Sequence, residues 1–404
     1  MSTPFLQSDS SENRETNLRL SHRFDEVGFS EIVKIRNRVM ELKAEGKEIF
    51  QFEGGEPCLN TPDHVKQAAI KALDENKTRY APSSGIPPLI QSIVKKLQKQ
   101  NHIMAESNHV LVENGGMQGL YGAFNSVLDP GDEVLLFSPH WTPTRDLIHM
   151  SGGKAVCVNT IEARHRGIKS CLENHRTTAT RVILLNTPQN PTGIVFTRDE
   201  IQEVADFAQQ HDLIVIADEA YEDLVYTGEH ISIASLPGMF ERTISVYTLS
   251  KSYAMTGWRI GYAVAPEPFI TGLQKSTLYS SNGVSTPTQW AALAALKEPS
   301  DFKEIALEGY RLRRSLLVDG LNLLGLKCDP PPAGAFYAFP EISKLGTSSS
   351  QVARQLLDEA HIATVPGIVF GAEGEGHLRF SFSVAPELIE RGLEALSTYM
   401  RNLT

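Results

Sequence analysis

Thr243-Ile244-Ser245-Val246-Tyr247-Thr248-Leu249-Ser250-Lys251-Ser252-Tyr253-Ala254-Met255-Thr256-Gly257-Trp258-Arg259 is the stretch on which the reading of this 404-residue chain turns. Residues 243–247 are mostly β-branched or aromatic, the composition of a strand. Two hydroxyl side chains, Thr248 and Ser250, follow at once, then Lys251 and, further on, Arg259. A lysine amine condenses with an aldehyde, and hydroxyls with a guanidinium hold a phosphate. The stretch therefore suits an aldehyde cofactor with a phosphate tail. Alone, Ser-Lys is also a common dipeptide, and most lysines are solvated charges.

The same strand-then-loop grammar extends in both directions. Val110-Leu111-Val112 reads as a strand, followed by a helical stretch from Gly116 to Val127. Asp129-Pro130-Gly131-Asp132 is a turn, and Glu133 to Phe137 is the next strand. Arg181 to Leu185 is apolar after its first residue, as a strand buried on both faces should be. Thr197-Arg198-Asp199-Glu200 is a capping box that opens a helix running toward His211. Leu213 to Ala217 and Ile260 to Val264 are further strands. Strands alternating with helices predict an α/β/α domain with a mostly parallel sheet.

The flanks differ. Ser30 to Glu45 is helical by pattern, and Thr61-Pro62 predicts a helix start with Thr61 as its N-cap. From about Asp301 long helices dominate, interrupted by Asp329-Pro330-Pro331-Pro332 and a short strand over Ala335 to Phe339. These patterns predict an N-terminal arm (1–29) and a large domain (65–300). A smaller α+β domain is assembled from both chain ends (30–64 and 301–404).

Composition narrows the function classes. Net charge is −10 without a basic stripe, which argues against nucleic acid as a partner. No apolar run reaches membrane-spanning length, which argues against a membrane partner. Met1 to Asn17 is polar and lacks the apolar core of a secretory signal, and reads as a loosely held arm. Cys58, Cys157, Cys171 and Cys328 form neither a C-x-x-C pair nor a metal-ligand pattern. Free thiols, a cytoplasmic setting and no metal are the expectation.

Four further segments carry candidate chemistry. Asn186-Thr187-Pro188-Gln189-Asn190-Pro191-Thr192-Gly193 follows a strand, where the Asn190 amide can donate to a ring oxygen; an ordinary Asn-Pro turn is the plainer reading. Asp218-Glu219-Ala220-Tyr221 also ends a strand. A carboxylate there can pair with a protonated pyridine nitrogen, and Tyr221 can donate to the ring oxygen. The alternatives are a solvated loop or a Mg²⁺-binding acid in a nucleotide enzyme, although no G-x-x-x-x-G-K-[ST] loop is present. Glu113-Asn114-Gly115-Gly116-Met117-Gln118 lies between a strand and a helix, where backbone N–H groups form an anion site. Leu378-Arg379-Phe380-Ser381-Phe382 puts an arginine on an apolar strand, either as a grip for an α-carboxylate or in an internal salt bridge.

In this order, and on these elements, the segments resemble the class I/II, fold-type I aminotransferases that use pyridoxal 5'-phosphate (PLP). The resemblance runs from about Ser30 to the C-terminus. Phe52-Glu53-Gly54-Gly55-Glu56-Pro57 is similar to the family's Gly-Glu-Pro segment, Ser138-Pro139-His140-Trp141 to its ring-stacking segment, and Gly334-Ala335-Phe336-Tyr337 is also family-like. Arg79-Tyr80-Ala81-Pro82-Ser83-Ser84-Gly85 resembles the segment that sends a tyrosine into the partner subunit.

The resemblance implies a role for each residue. Lys251 forms the Schiff base and shuttles the proton, Asp218 pairs with the pyridine nitrogen, and Asn190 and Tyr221 hold the ring oxygen. Trp141 stacks on the ring. Gly116, Met117, Thr248, Ser250, Arg259 and a partner's Tyr80 bind phosphate. Arg379 binds the substrate carboxylate, with Gly55 and Asn190 beside the substrate. It implies a homodimer that moves the amino group of an L-amino acid to a 2-oxo acid through a pyridoxamine phosphate form. A β-lyase, cyclase or oxidase on the same site, or a non-catalytic regulator, are the rival readings. Cys58 departs from the acid common after Gly-Glu-Pro. Arg23 and Arg145 are candidates, by rough position, for a substrate's distal carboxylate.

Overall fold

The structure, a computed structural model, describes residues 21, 24, 27, 28, 31–297 and 300–403. Most of the arm expected over 1–29, Arg23 included, lies outside the described residues. Among the described residues twelve strands follow in chain order: β1 (Phe50–Gln51), β2 (Val110–Glu113), β3 (Glu133–Ser138), β4 (Lys154–Asn159), β5 (Thr180–Asn186), β6 (Ile214–Asp218), β7 (Thr243–Thr248), β8 (Gly261–Val264), β9 (Tyr337–Ala338), β10 (Ile362–Ala363), β11 (Val365–Pro366) and β12 (Leu378–Ser381).

Seven of them form one sheet in the order β2-β8-β7-β6-β5-β3-β4. All neighbours from β7 to β4 are parallel, whereas β8 is antiparallel to both β7 and β2. Side chains alternate between the two faces, and each face has its own helical cover. Ile183, Val215 and Ala217 pack with Phe196 and Phe207 on one side. Leu184, Ile216 and Val246 pack with Leu120 and Phe124 of the helix Gly116–Val127 on the other. The parallel strands bring their carboxyl ends to one edge, the place where open α/β sheets bind ligands.

A second core gathers the helices Phe302–Leu323, Ser349–Ala360 and Pro386–Leu403 around Phe336, Phe380 and Phe382. The segment before residue 64 joins this body: β1 pairs in parallel with β10, and Phe52 enters the same core. The helix Glu31–Ala44 lays Val39 and Leu42 on Leu357 and Ala363. Tyr221 and Leu224, just past β6, also belong to this core, so the loop leaving the large sheet is anchored in the second body.

The capping box at Thr197 and Glu200 is formed. Thr61 does not cap a helix: Pro62 holds the N-cap position of Asp63–Asp74 without a side-chain bond. The Thr61 hydroxyl instead donates to the Ala254 carbonyl at 2.6 Å and accepts from the Trp258 indole at 3.1 Å. Tertiary partners outcompete the local cap. Among the described residues no helix is long and apolar enough to cross a membrane.

Candidate active site

The carboxyl edge of the sheet opens into a cavity of about 560 Å³. Lys251 reaches it from a single helical turn, Leu249–Ser252, which starts at β7's end because Thr248 accepts the Ser250 N–H at 3.1 Å. The Lys251 ammonium donates to the Gly55 carbonyl at 2.6 Å. Burial pushes its pKa down to about 8; Glu56 and Asp218 oppose this, and Arg379 and Arg259 reinforce it. An amine so perturbed supplies its neutral, nucleophilic form near neutral pH.

Asp218 ends β6 on the same wall. Burial raises its carboxyl to about 6, the Ala220 N–H pulls it down, and the Glu219 charge pushes it up. A cation placed against it would restore full ionisation. Asn186, at the end of β5, braces this corner: its amide donates to the Asp218 carbonyl at 3.1 Å and its oxygen accepts the Asn190 N–H at 3.1 Å. The Asn190 side-chain oxygen is taken by Arg379 Nη1 at 3.1 Å, which leaves the Asn190 NH₂ as the donor available to the cavity. The Tyr221 hydroxyl lies 2.9 Å from that of Tyr337, which also lines the cavity.

Arg379 is only 3% exposed. Its Nη2 donates to the Glu53 carbonyl at 2.8 Å, its Nε has no partner, and no carboxylate pairs with it among the described residues. A buried guanidinium without a counter-charge is costly, so an internal salt bridge does not account for Arg379. The group is poised for an anion that enters the cavity.

Opposite, the helix Gly116–Val127 points its N-terminus into the cavity, with Gly116 and Met117 on the wall. Gly115 has φ +80°, and a Cβ there would come within 2.7 Å of Arg259 Nη2. The missing side chain is what lets the guanidinium lie across the loop. Arg259, itself at φ +53°, donates to the Thr256 carbonyl at 2.8 Å. The Thr248 hydroxyl donates to Ser250 Oγ at 2.9 Å, and both line the same corner. N–H groups, two hydroxyls and a guanidinium converge there as an anion cradle. Trp141 forms a wall beyond β3. The end of β3 is tied to residues 367–374 by the His140 N–H to the Phe370 carbonyl (2.8 Å) and Ser138 to Glu373 (2.5 Å).

Two residues named from the sequence are not on this wall. Tyr80 is 90% exposed, and Arg145 is exposed beyond the cavity. The lining residues with no role assigned from the sequence include Arg36, Glu53, Asn186 and Tyr337. Arg36 stands one helical turn from Ile32, and both face the cavity, so only the i, i+4 spacing could have paired them. A second buried cluster, Glu219, Glu222 and His230, has ligand-type atoms within 4.8 Å of one another. Those atoms are already bonded to one another or to Ser232, Asn101 and Lys96, and the lysine supplies positive charge. Burial disfavours the charge on both Glu219 and His230, but their mutual bond, with Ser232 and Lys96 acting on Glu219 and Glu222 acting on His230, holds the Glu219 carboxyl below and the His230 imidazole above its ordinary value.

PLP requires an amine for its aldehyde, a carboxylate for its ring nitrogen, donors for its ring oxygen and a cradle for its phosphate. The cavity offers each, together with an unpaired guanidinium for a substrate carboxylate, and the residues present fit the group. Fold and site together define a fold-type I, PLP-dependent transferase. Residues 47–396 match the family model for aminotransferase class I and II, and the chain belongs to that family. It is a PLP-dependent aminotransferase, acting on amino and 2-oxo acids.

Its relatives include the aspartate/prephenate aminotransferase of Thermus thermophilus, 38% identical over 93% of this chain and 97% of that protein. The aspartate aminotransferase of Pyrococcus abyssi is 38% identical over 95% of this chain and 99% of its own. Among solved structures, Thermus thermophilus aspartate aminotransferase with maleate superposes with a TM-score of 0.89 at 36% identity, over 94% of this chain and 99% of that one.

Proposed function

We propose that the enzyme exchanges the amino group between dicarboxylic L-amino acids, aspartate foremost, and 2-oxo acids, as a homodimer in the cytoplasm. The observation that carries the substrate class is a second guanidinium: Arg36 lines the cavity that already holds Arg379, and no carboxylate bonds it among the described residues. Two cations in one cavity suit a substrate with two carboxylates. Several relatives are named aspartate aminotransferases, and one neighbour was solved with the dicarboxylate maleate.

PLP, when bound, supplies an aldehyde carbon that takes over the amino group and a ring that accepts the electron pair left by the α-proton. The chain's residues do the rest. Lys251 Nζ holds the cofactor, then removes the α-proton as a neutral amine and returns it as an ammonium. Asp218 keeps the ring nitrogen cationic. Tyr221 and the Asn190 NH₂ hold the ring oxygen, and Trp141 covers one ring face. The N–H groups at Gly116 and Met117, with Thr248, Ser250 and Arg259, hold the phosphate, and Tyr80 of the partner subunit completes that cradle. Arg379 orients the α-carboxylate and Gly55 leaves room beside it. In this assignment residues 65–300 are the cofactor domain, and residues 30–64 with 301–404 are the small domain that covers the substrate.

Single-turnover reactions with aspartate, glutamate, alanine, leucine and phenylalanine, followed by loss of the cofactor's visible band, test the substrate class. Aspartate should react fastest, and Arg36→Ala should raise its KM at least about tenfold, the effect of one charge-assisted hydrogen bond, while sparing alanine. Equal rates for aspartate and alanine would defeat the proposal. Mixing Lys251→Ala with Tyr80→Ala subunits should regenerate some activity if the sites are shared across a dimer.

A further inference from the structure

Tyr337 touches three parts of the site at once. Its hydroxyl lies 2.9 Å from that of Tyr221, both side chains are buried, and among the described residues neither phenol has another hydrogen-bond partner. Its ring carries the Arg379 guanidinium, whose carbon sits 4.3 Å from the ring centroid. Its hydroxyl also fills the space that a side chain on Gly55 would need, since a Cβ there would come within 3.2 Å of it. The Gly55 carbonyl in turn accepts from Lys251.

Two phenols at this distance hold two protons but share one hydrogen bond. The second proton has no acceptor among the described residues, and both side chains line the cavity. If Tyr221 donates outward to an anionic ring oxygen, its own oxygen must accept from Tyr337. The two hydroxyls then form a chain in which each bond polarises the next, and the outer Tyr221 proton becomes a stronger donor. We propose that Tyr337 is a positioning residue that couples the two ends of the site: its hydroxyl sets the direction in which Tyr221 donates, and its ring seats the carboxylate-binding Arg379.

This rests on the assignment of Tyr221 to the ring oxygen, and the test separates the two. Tyr337→Phe keeps the ring and removes the hydroxyl; Tyr337→Leu removes both. The first readout is the pH titration of the bound cofactor's visible absorbance. Losing a donor to an anionic oxygen favours its protonated surroundings, so Tyr221→Phe should move the midpoint upward. Tyr337→Phe should move it the same way by about half a pH unit, and should add nothing in a Tyr221→Phe background, because it acts through that hydroxyl. The second readout is KM for the amino acid. Tyr337→Phe should leave it within about twofold, while Tyr337→Leu should raise it about three- to thirtyfold through loss of the cation–π seat.

A silent Tyr221→Phe would sink the ring-oxygen assignment itself. A shifted Tyr221→Phe with a silent Tyr337→Phe, or additive shifts in the double variant, would overturn the coupling alone. Equal KM values in the Phe and Leu variants would overturn the role of the ring. Melting curves of the cofactor-free variants guard against a general effect: a Tyr337→Phe protein that loses stability and PLP content in proportion is merely a packing defect, and the proposal fails.

Discussion

Replacing Arg379 by lysine separates a substrate clamp from a structural charge. The guanidinium has five N–H donors, of which the structure spends one on Asn190 Oδ1 and one on the Glu53 carbonyl. Three remain, including the unpartnered Nε, and they lie in one plane that matches a carboxylate. A lysine keeps the charge but gathers its donors on one atom. It cannot bond Asn190, Glu53 and both oxygens of an anion together. Losing such a buried, charge-assisted contact costs about 2–5 kcal/mol, or roughly thirtyfold to several-thousandfold in kcat/KM for the amino acid. Stability should respond far less. No carboxylate faces Arg379 among the described residues, so the substitution strands no buried anion of the kind whose exposure costs about 3–5 kcal/mol. The anion cradle proposed for the phosphate, around Gly116 and Arg259, shares no residue with Arg379's hydrogen-bond partners, so PLP content should hold. Half-reaction rates, PLP content and melting temperature measured on one Arg379→Lys preparation decide the matter. A fall in stability and PLP content together with activity would refute the reasoning.

Three further outcomes follow from the titrating groups. Burial favours the neutral Lys251 amine, with a midpoint about 8, so capture of added PLP by the cofactor-free enzyme should quicken roughly tenfold per pH unit below that value and level off above it; a stopped-flow profile still rising to pH 10 would contradict this. Asp218→Ala removes the anion that the proposal assigns to the ring nitrogen and should lower kcat by at least about two orders of magnitude, measured under saturating PLP. Glu113 is buried with Thr277 as its hydrogen-bonding partner, and burial holds its carboxyl up at about 8. Between its ordinary range and pH 8 the folded chain retains a proton that the unfolded chain has released, so stability falls as pH rises through that window. Glu113→Gln should abolish that fall and be the more stable protein above pH 8, by on the order of 4 kcal/mol in denaturant titrations.

The buried strands were legible because their environment is written locally. β3, β5, β6 and β7 are covered on both faces, and their apolar runs say so. β4 is not legible: among the described residues it is an edge strand that pairs only with β3, and Lys154, Cys157 and Asn159 dilute its pattern on a half-exposed surface. The antiparallel entry of β8 between β2 and β7 is a long-range pairing that no window of sequence displays. The same division holds at the site. Lys251, Asp218, Asn190 and Arg379 stand in short segments that carry their own chemical signature. Tyr337 looks like any core aromatic until folding sets it between Tyr221 and Arg379. Thr61 shows the converse error, a local cap signal overridden by Ala254 and Trp258.

Two separately cored bodies meet at this cavity, and they contribute different kinds of residue. The sheet edge supplies Asp218, Asn190, Thr248 and Lys251, the groups to which the proposal assigns the chemistry common to every amino acid substrate. Ile32, Arg36, Gly55 and Arg379 come from the segments packed with the second core. Redesign of substrate preference is thus a matter of re-facing one body. Changes at Ile32 or Arg36 stand on a helix anchored through Val39 and Leu42 on Leu357 and Ala363, outside the cores that cover the large sheet. A library confined to that helix would sample new side-chain preferences while leaving the chemical apparatus as inherited, which makes it the economical starting point for directed evolution of this enzyme.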